Sequence, residues 1–326
     1  MIQQTLDGLE FGAPRTRAHL TMIPLLAPDG AEPFYSTLDE ALATGAFRVT
    51  EVSEGGSVPD LLATNELDRP VLIVHGEQLV GAKQNRIVNL TILVPPSCSL
   101  KIPVSCVEQG RWHYRSPEFK GSDHPLHYSA RACAAAQVSE RLSRSEAPRA
   151  DQGRVWEMVD RRLRELGVRS ETGAVEDAYE ARRAQLDEMA DMAPEPRQCG
   201  AVFLIRGHVV GLELFGSPRT LAGMLRKIAN SYALDALDAW AGKPPSRSPE
   251  DAARGLLDRV RAATVATIPS VGLGVAVRIS GRGIAGGGLA LRDALVHLAV
   301  FRLPPTAADA PPFRPRHARG GFGNGY

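Results

Sequence analysis

Two apolar runs typical of buried strands, residues 71–74 and 87–94, flank and partly overlap the most polar stretch of the chain, residues 75–89. Strands on both sides require the chain to reverse between them, so the polar side chains are predicted to lie on a hairpin or a kinked strand. The stretch contains one acid, one lysine, one arginine, several amides and two glycines. A turn that gathers so many donors and acceptors in a small space predicts a ligand site.

Lysine and asparagine are scarce in this chain, with five residues of each type among 326. Nevertheless, Lys83, Asn85 and Asn89 fall within seven residues of one another. Because arginine carries nearly all of the other positive charge, a lysine here indicates a need for a compact ammonium that binds a phosphate or carboxylate or takes part in acid–base chemistry. The alternative interpretation is structural: Lys83 covers a strand edge and the amides cap a turn.

Each polar side chain of the stretch has a predicted role. Glu77 and Lys83 are the predicted catalytic pair, because a carboxylate beside an ammonium in a partly dry cleft can orient a substrate hydroxyl or act as a general base. A surface ion pair that contributes little to stability is the alternative. Arg86 offers a planar guanidinium suited to a phosphate or carboxylate group. The amide side chains predicted to recognise a ribose or a base edge are Gln84, Asn85 and Asn89.

A second polar cluster follows the strand-like run 99–106. If this run pairs with the run 87–94, its end adds Glu108, Arg111 and the stacking surface of Trp112 to the predicted ligand site. Glu213 interrupts an otherwise apolar strand-like run, where an unpaired buried charge would cost on the order of several kcal/mol. Glu213 is therefore predicted either to bind the ligand or to face solvent.

The cysteine and histidine patterns are less specific. Cys106 with His113 could act as nucleophile and base, which gives a thiol enzyme as a third hypothesis, although buried cysteines often serve only as small apolar residues. The four cysteines form no Cys-x-x-Cys pair, so no disulfide framework and no zinc site are predicted. His124 and His127 match no metal-binding spacing. We therefore predict no metal and no cofactor.

Composition places the chain among ordinary globular proteins, with 44% hydrophobic and 23% charged residues. A formal net charge of +1 gives no reason to expect nucleic acid or a membrane surface as a partner. The sequence has neither a membrane-spanning apolar run nor an N-terminal signal pattern, which predicts a cytoplasmic protein. Whether the protein forms a homo-oligomer is left open.

The pattern of elements predicts an α+β fold, in which strand-rich N-terminal and C-terminal parts pack around a cleft and the helices of residues 128–193 cover one side. We predict a single domain over residues 1–303, composed of lobes at about 1–120 and 200–303 that the helices join. The polar residues 304–326, rich in proline, glycine and arginine, are predicted to form a disordered tail.

An internal echo supports two lobes, since residues 73–81 resemble residues 204–211 around a glycine-containing turn. Any hairpin with such glycines would give the same likeness, which is the alternative.

Capping and breaking residues set the helix boundaries. Helices are predicted after Asp151, over residues 173–192, from Ser217 to about residue 240 and from Ser248 to about residue 267. The C-terminal strands are predicted at residues 272–279, 284–291 and 294–302.

Four segments of this chain carry a family resemblance: residues 76–86, 104–112, 210–215 and 231–236. They resemble the bacterial domain family that is named for its association with ADP-ribosylglycohydrolases and rhodanese-phosphatase proteins. The likeness covers about residues 9–302. It implies a nucleotide or phosphorylated-sugar ligand, because the neighbours of this family process ADP-ribose and other compounds derived from NAD. It brings no established reaction and no catalytic residue.

These observations predict binding of a small phosphorylated ligand that resembles ADP-ribose, a nucleotide or a phosphorylated sugar. Lys83 and Arg86 would hold the phosphate, and Glu77 would hold a hydroxyl or act as the base of a hydrolysis or group transfer. The alternative is a non-enzymatic interaction or structural module, in which the polar hairpin is only a brace.

Overall fold

The computed structural model describes residues 1–28, 30–238 and 245–303. Helices and mostly antiparallel sheets together build this part of the chain, which confirms the predicted α+β fold. Its helices are α1 (Ile2–Asp7), α2 (Leu38–Ala43), α3 (Tyr128–Ser143), α4 (Gln152–Glu165), α5 (Val175–Ala181), α6 (Arg183–Ala190), α7 (Pro218–Ala236) and α8 (Pro249–Arg261). The first nine strands are β1 (Glu10–Phe11), β2 (Arg15–Arg17), β3 (Leu20–Leu26), β4 (Ser36–Thr37), β5 (Phe47–Glu51), β6 (Asp60–Asn65), β7 (Val71–Ile73), β8 (Gln78–Gly81) and β9 (Arg86–Val88). The other strands are β10 (Ile92–Val94), β11 (Cys98–Cys106), β12 (Phe119–Gly121), β13 (Gln198–Ile205), β14 (His208–Phe215), β15 (Thr264–Pro269), β16 (Val275–Gly281), β17 (Ile284–Leu291) and β18 (Ala294–Arg302).

An antiparallel sheet of nine strands forms one part of the described fold. Its strands follow the order β1-β3-β13-β14-β18-β17-β16-β15, and β2 pairs with β3. Helices cover both faces: Phe203 and Phe301 belong to a core shared with α3 and α7, whereas Val202 and Leu212 belong to a core shared with α1 and α8. Because alternate side chains of a strand point to opposite faces, β13 is buried along its whole length.

The other strands form a six-stranded sheet, β12-β8-β9-β11-β6-β5, and a three-stranded sheet, β10-β7-β4. All of their pairings are antiparallel except that of β4 with β7. A third core, which includes Phe47, Ile73 and Ile102, joins strands of both sheets to α2. The polar stretch 75–89 runs through this part of the molecule, where β8 and β9 pair with each other.

The predicted strand over residues 87–94 is wrong. β9 ends at Val88 and β10 begins at Ile92, and the two strands belong to different sheets. The amide of Asn89 still donates to the carbonyl of Pro103 in β11, at 3.0 Å. Because proline has no N–H to return that bond, the ladder ends there and the chain crosses to the other sheet.

Helix boundaries also differ from the predicted ones. The segment 173–192 contains two helices, because Arg182 has a non-helical φ of −120° between α5 and α6. The last helix ends at Arg261 and residues 264–269 form β15, whose β-branched residues favour a strand. α7 ends at Ala236, and residue 240 lies outside the described residues. The strand predicted from residue 272 begins at Val275.

The internal echo does not correspond to a duplicated hairpin. β13 and β14 form a hairpin, whereas β7 and β8 belong to different sheets. The first strands of the chain, β1 to β3, pair with the C-terminal sheet rather than with the strands that follow them. The single domain over residues 1–303 and its two lobes remain predictions, and the predicted tail at 304–326 lies outside the described residues.

Candidate functional site

A tight hairpin between β8 and β9 carries the scarce lysine, Lys83. The strands pair antiparallel through residues 78–79 and 86–87, so the chain reverses within the polar stretch as predicted. Gly81, at the end of β8, has a φ of +124°, and a Cβ at this position would lie 2.5 Å from the Ser116 hydroxyl. Glycine therefore permits both the backbone conformation and the close approach of the loop that contains Ser116.

The Lys83 ammonium lies beside two aromatic rings. Its Nζ is 5.5 Å from the centre of the Trp112 ring and 5.0 Å from that of Tyr114, both within the range of cation–π contacts. It also donates a hydrogen bond to the backbone carbonyl of Glu54 at 2.5 Å. Trp112 and Tyr114 are 46% and 47% exposed, so a cation and two aromatic surfaces are presented together to solvent.

An open hollow of about 670 Å³ adjoins this cluster. Its lining residues are Glu54, Tyr114, Arg115, Ser116 and Pro117. The Arg115 side chain is 56% exposed. The hollow is thus lined by a guanidinium and an aromatic ring, and the Lys83 ammonium contacts two of its lining residues, Glu54 and Tyr114. This combination suits an anionic ligand with a planar or sugar-like part.

Arg86 is completely buried, with its guanidinium carbon 5.5 Å from the centre of the Trp112 ring. Its Nη1 donates to the side-chain oxygen of Gln84 at 2.9 Å, and its Nη2 lies 3.8 Å from Glu51 Oε1. Within the described residues, Nε and Nη2 of Arg86 and Oε2 of Glu51 have no hydrogen-bond partner. Buried polar groups usually have hydrogen-bond partners. These atoms of Arg86 and Glu51 can therefore still form hydrogen bonds, and the Arg86 guanidinium lies beneath the Trp112 ring.

Glu108, Arg111 and Asn85 brace the hairpin. Arg111 donates to the Glu108 carboxylate through Nε at 2.9 Å and through Nη2 at 2.6 Å. Its other donors bond the Asn85 side chain and three backbone carbonyls. Burial by itself would raise the pKa of the Glu108 carboxyl, but hydrogen bonds from Arg111 and the Asn85 amide hold that pKa below its usual value. The hydrogen bonds of these predicted ligand-binding residues are thus made within and to the β8–β9 hairpin.

Glu77 lies outside this cluster, and the predicted pairing of Glu77 with Lys83 is wrong. Glu77 Oε1 accepts a hydrogen bond from Lys227 Nζ at 2.9 Å, and Oε2 accepts one from the Val74 amide at 2.7 Å. Lys227, in α7, also donates to Asp39 at 2.6 Å. Because Glu77 is buried where the chain leaves β7, it requires a buried cation, which α7 supplies.

Two further predicted residues also have other partners. Asn89 accepts a hydrogen bond from the Ser105 hydroxyl at 2.9 Å. Glu213 accepts hydrogen bonds from Arg131 at 2.7 Å and from the Tyr232 hydroxyl at 3.0 Å. Glu213 is fully buried, so the solvent-facing alternative for this residue is wrong. The structure therefore brings together Lys83 and Arg86 around Trp112, whereas Asn89 and Glu213 are hydrogen-bonded elsewhere.

The thiol of Cys106 is fully buried in β11. Burial raises the pKa of this thiol to about 11. A thiol with this pKa stays protonated near neutral pH, and the thiolate is the nucleophilic form. The geometry therefore gives no support to the hypothesis of a thiol enzyme.

Sequence reasoning missed Glu51, Tyr114, Arg115 and Lys227. The first three belong to a strand and a loop that only the tertiary fold brings to Lys83, and no local pattern marks them. Lys227 did carry a signal, because it is one of the five lysines and the rarity argument used for Lys83 applies equally to it.

Over residues 1–28, 30–238 and 245–303, no three histidine, cysteine, aspartate or glutamate side chains are placed to hold a metal ion. In the same ranges, no helix combines the length and the apolar character that crossing a membrane requires.

Fold and site together define an α+β protein with an open hollow that is lined by an arginine and a tyrosine and adjoins the Lys83 ammonium. The chain belongs to the family of the ARG and Rhodanese-Phosphatase-superfamily-associated Protein domain, whose model matches residues 8–301. This match confirms the family resemblance that the sequence motifs indicate. Comparison with curated proteins found no match, and comparison with solved structures found none either.

Proposed function

We propose that the protein binds a small phosphorylated ligand of the ADP-ribose, nucleotide or sugar-phosphate class in the hollow beside Lys83. The observation that carries the proposal is the position of the Lys83 ammonium, 5.5 Å and 5.0 Å from the half-exposed rings of Trp112 and Tyr114, of which Tyr114 lines the hollow. An ammonium attracts a phosphate, and an exposed ring offers a stacking surface to a base or sugar.

Two arginines extend this arrangement. Arg115 lines the hollow with an exposed guanidinium, which can approach a second phosphate oxygen. Arg86 lies under Trp112 with two nitrogens that have no hydrogen-bond partner within the described residues. A movement of the Trp112 ring would give a ligand access to this buried guanidinium. Binding would then supply the hydrogen bonds that Arg86 lacks.

Any hydrolysis or group transfer in this hollow would need a base other than Glu77, whose two carboxylate oxygens are engaged by Lys227 and Val74. Glu54 is the carboxylate residue among those that line the hollow. Glu54 is exposed, and general bases in enzymes are usually desolvated so that their pKa approaches the working pH. The geometry thus favours binding over catalysis.

A thermal-shift series tests the binding site. Ligand that binds only the folded state stabilises it, by about 2.7 kcal/mol at a concentration one hundred times Kd. We expect at least one of ADP-ribose, NAD, AMP and ribose 5-phosphate to raise the Tm of the wild-type protein. Lys83→Ala and Trp112→Ala should lose most of that ligand-induced increase.

Lys101→Ala is the matched control, because Lys101 is an exposed lysine on β11. This variant should keep the full ligand-induced increase in Tm. An unchanged increase in Lys83→Ala would contradict the proposal, whatever the Tm of the variant without ligand.

The alternative function is a non-enzymatic interaction module, favoured by a different observation: Asn85, Glu108 and Arg111 bond one another, and Arg111 also bonds backbone carbonyls of the hairpin. Trp112 and Tyr114 would then be an exposed aromatic contact surface. This alternative predicts no thermal shift with any of the small ligands. It also predicts that Trp112→Ala weakens self-association, which analytical ultracentrifugation would measure.

A further inference from the structure

A second hollow, separate from the one beside Lys83, lies where α4 and α7 end near the turn between β13 and β14. Its volume is about 670 Å³. A smaller hollow of about 260 Å³ continues from it, since both are bordered by His208, Val209 and Arg302. We call these two hollows together the arginine groove, because Arg161, Arg162, Arg206, Arg247, Arg259 and Arg302 line it.

The carboxylates of the arginine groove are already paired. Asp235 accepts hydrogen bonds from the Ser129 amide at 2.8 Å and from Arg162 at 2.6 Å. Arg162 also bonds Asp238, and it lies 3.4 Å from Glu165. The three acids thus lie around Arg162, with Glu165 also 3.9 Å from Arg161, and none of them forms an ion pair with the other groove arginines within the described residues.

Four arginines of the groove have no carboxylate partner within the described residues: Arg206, Arg247, Arg259 and Arg302. Arg206 is hydrogen-bonded through Nη2 to the ring of His19 at 2.8 Å, and its buried Nε has no hydrogen-bond partner among the residues that the structure describes. Burial, together with the positive charge of Arg259, lowers the pKa of the Arg302 guanidinium. Arg259 and Arg302 are thus like charges that repel each other, which destabilises the free protein and favours binding of an anion.

One wall of the larger hollow is apolar. Ile205, Val209, Val210 and Leu303 line it, and so does Tyr128, whose ring stacks on a buried tyrosine, with the ring centres 5.5 Å apart. A bare inorganic anion would leave this wall unused. A ligand with both a charged group and a less polar part would fill the groove better.

We propose that the arginine groove binds an organic phosphate, with the phosphate at Arg259 and Arg302 and its less polar part on the apolar wall of the larger hollow, which Arg302 also lines. Guanidinium groups match the geometry of phosphate oxygens, and two or more of them bind a dianion more strongly than one. This site does not depend on the hollow beside Lys83, because no lining residue is shared between the two.

Calorimetric titration in a Lys83→Ala background tests the groove alone, because that substitution disables the other proposed site. Phenyl phosphate and inorganic phosphate are the probes. We expect both to bind, and phenyl phosphate to bind at least threefold more tightly because its ring can occupy the apolar wall. Affinity should fall steeply as the salt concentration rises, as for other contacts between arginine and phosphate.

Adding Arg302→Gln or Arg259→Gln should weaken binding of phenyl phosphate at least tenfold. Neither should lower the Tm of the free protein, because each removes one of the two like charges, Arg259 and Arg302, that repel each other. Arg259 is exposed, so its variant keeps the test valid even if Arg302→Gln folds poorly. Arg254→Gln is the matched control: Arg254 lies on the same helix, α8, but stacks on Phe11 at 4.8 Å, and this variant should bind normally.

Undetectable binding of phenyl phosphate to the Lys83→Ala protein would overturn the proposal. So would an affinity that both the Arg302 and Arg259 substitutions leave unchanged. Failure of the site beside Lys83 would not affect either result, since the titration is carried out without that site.

Discussion

Arg86 and Arg111 are both buried in the candidate site, but they differ in how many of their N–H donors are hydrogen-bonded. An arginine with all its donors bonded is suited to a structural role, whereas one with free donors is suited to binding a ligand. Arg111 donates through Nε, Nη1 and Nη2 to a carboxylate, an amide and three carbonyls. Arg86 donates only through Nη1 within the described residues. The sequence marks both residues as candidates, but it cannot count their partners, since those partners come from loops and strands distant in the chain.

Replacing Arg111 with methionine should destabilise the protein by about 3–5 kcal/mol, because the buried Glu108 carboxylate would lose its main counter-charge. Arg115→Met is the matched control, since Arg115 is 56% exposed and lies 3.9 Å from the same carboxylate. That variant should change stability by less than about 1 kcal/mol. Urea unfolding monitored by circular dichroism would measure both values. A cost below about 1 kcal/mol for Arg111→Met would show that Arg111 is not the brace described above.

Sequence reasoning locates an element best where a capping residue marks its start. Asp151 and Ser248 begin α4 and α8 as predicted, and each side chain accepts a hydrogen bond from the backbone three residues later. The ends of β9 and α5 were not predictable in the same way. β9 ends because its partner strand has Pro103 at that point, which depends on strand register rather than on local sequence.

In the candidate site, too, local features could be predicted from the sequence and tertiary contacts could not. The hairpin that carries Lys83 and Arg86 is a local feature, so the two apolar runs that flank it were sufficient to predict it, and the rarity of lysine singled out Lys83. The partner of Glu77 could not be predicted from local sequence, because Lys227 is 150 residues away in α7. A buried carboxylate predicts that some cation must pair with it, but only the tertiary fold determines which one.

Two serines that precede prolines at helix starts provide a test of capping in this fold. The Ser248 hydroxyl accepts a hydrogen bond from the Asp251 amide at 3.1 Å, whereas the buried Ser217 hydroxyl has no partner within the described residues. Ser248→Ala should therefore lower the free energy of unfolding by about 1 kcal/mol. Ser217→Ala should leave it unchanged or raise it slightly, because it removes an unpaired buried polar group. Urea titrations of the two variants should differ in this order, and the reverse order would contradict the assignment of the caps.

At the scale of the whole molecule, buried polar contacts join the nine-stranded sheet and its helices to the smaller sheets. The Thr91 hydroxyl, between β9 and β10, is 2.9 Å from Nδ1 of His297 in β18. Glu77 and Lys227 link the polar stretch to α7. Such contacts require both partners to stay in place, because separating them would leave charges and hydrogen-bonding groups unpaired in the interior. The single domain over residues 1–303 remains a prediction.

Buried histidines make the stability of this molecule sensitive to acid. Burial lowers the pKa of His127 to about 4, and burial also lowers the pKa of His75 well below its usual value. The groups that act on His127 are Asp235, Arg162, Arg161 and Asp238. Between pH about 6.5 and about 4, the unfolded chain binds protons at these histidines and the folded chain does not. The free energy of unfolding should therefore be largest above pH about 6.5 and fall as the pH decreases through this range.

The contribution of His127 alone should be roughly 3 kcal/mol between these limits, because each unit of pKa difference corresponds to about 1.4 kcal/mol. His127→Asn removes the titrating group and keeps a residue suited to the N-cap of α3, so its unfolding free energy should depend less steeply on pH. Urea titrations at pH 7.5, 6, 5 and 4.5 would measure both slopes, with the exposed His113→Asn as a control that should match the wild type. If His127→Asn keeps the wild-type slope, His127 is protonated in the folded state, and the loss of stability in acid must come from other groups such as His75.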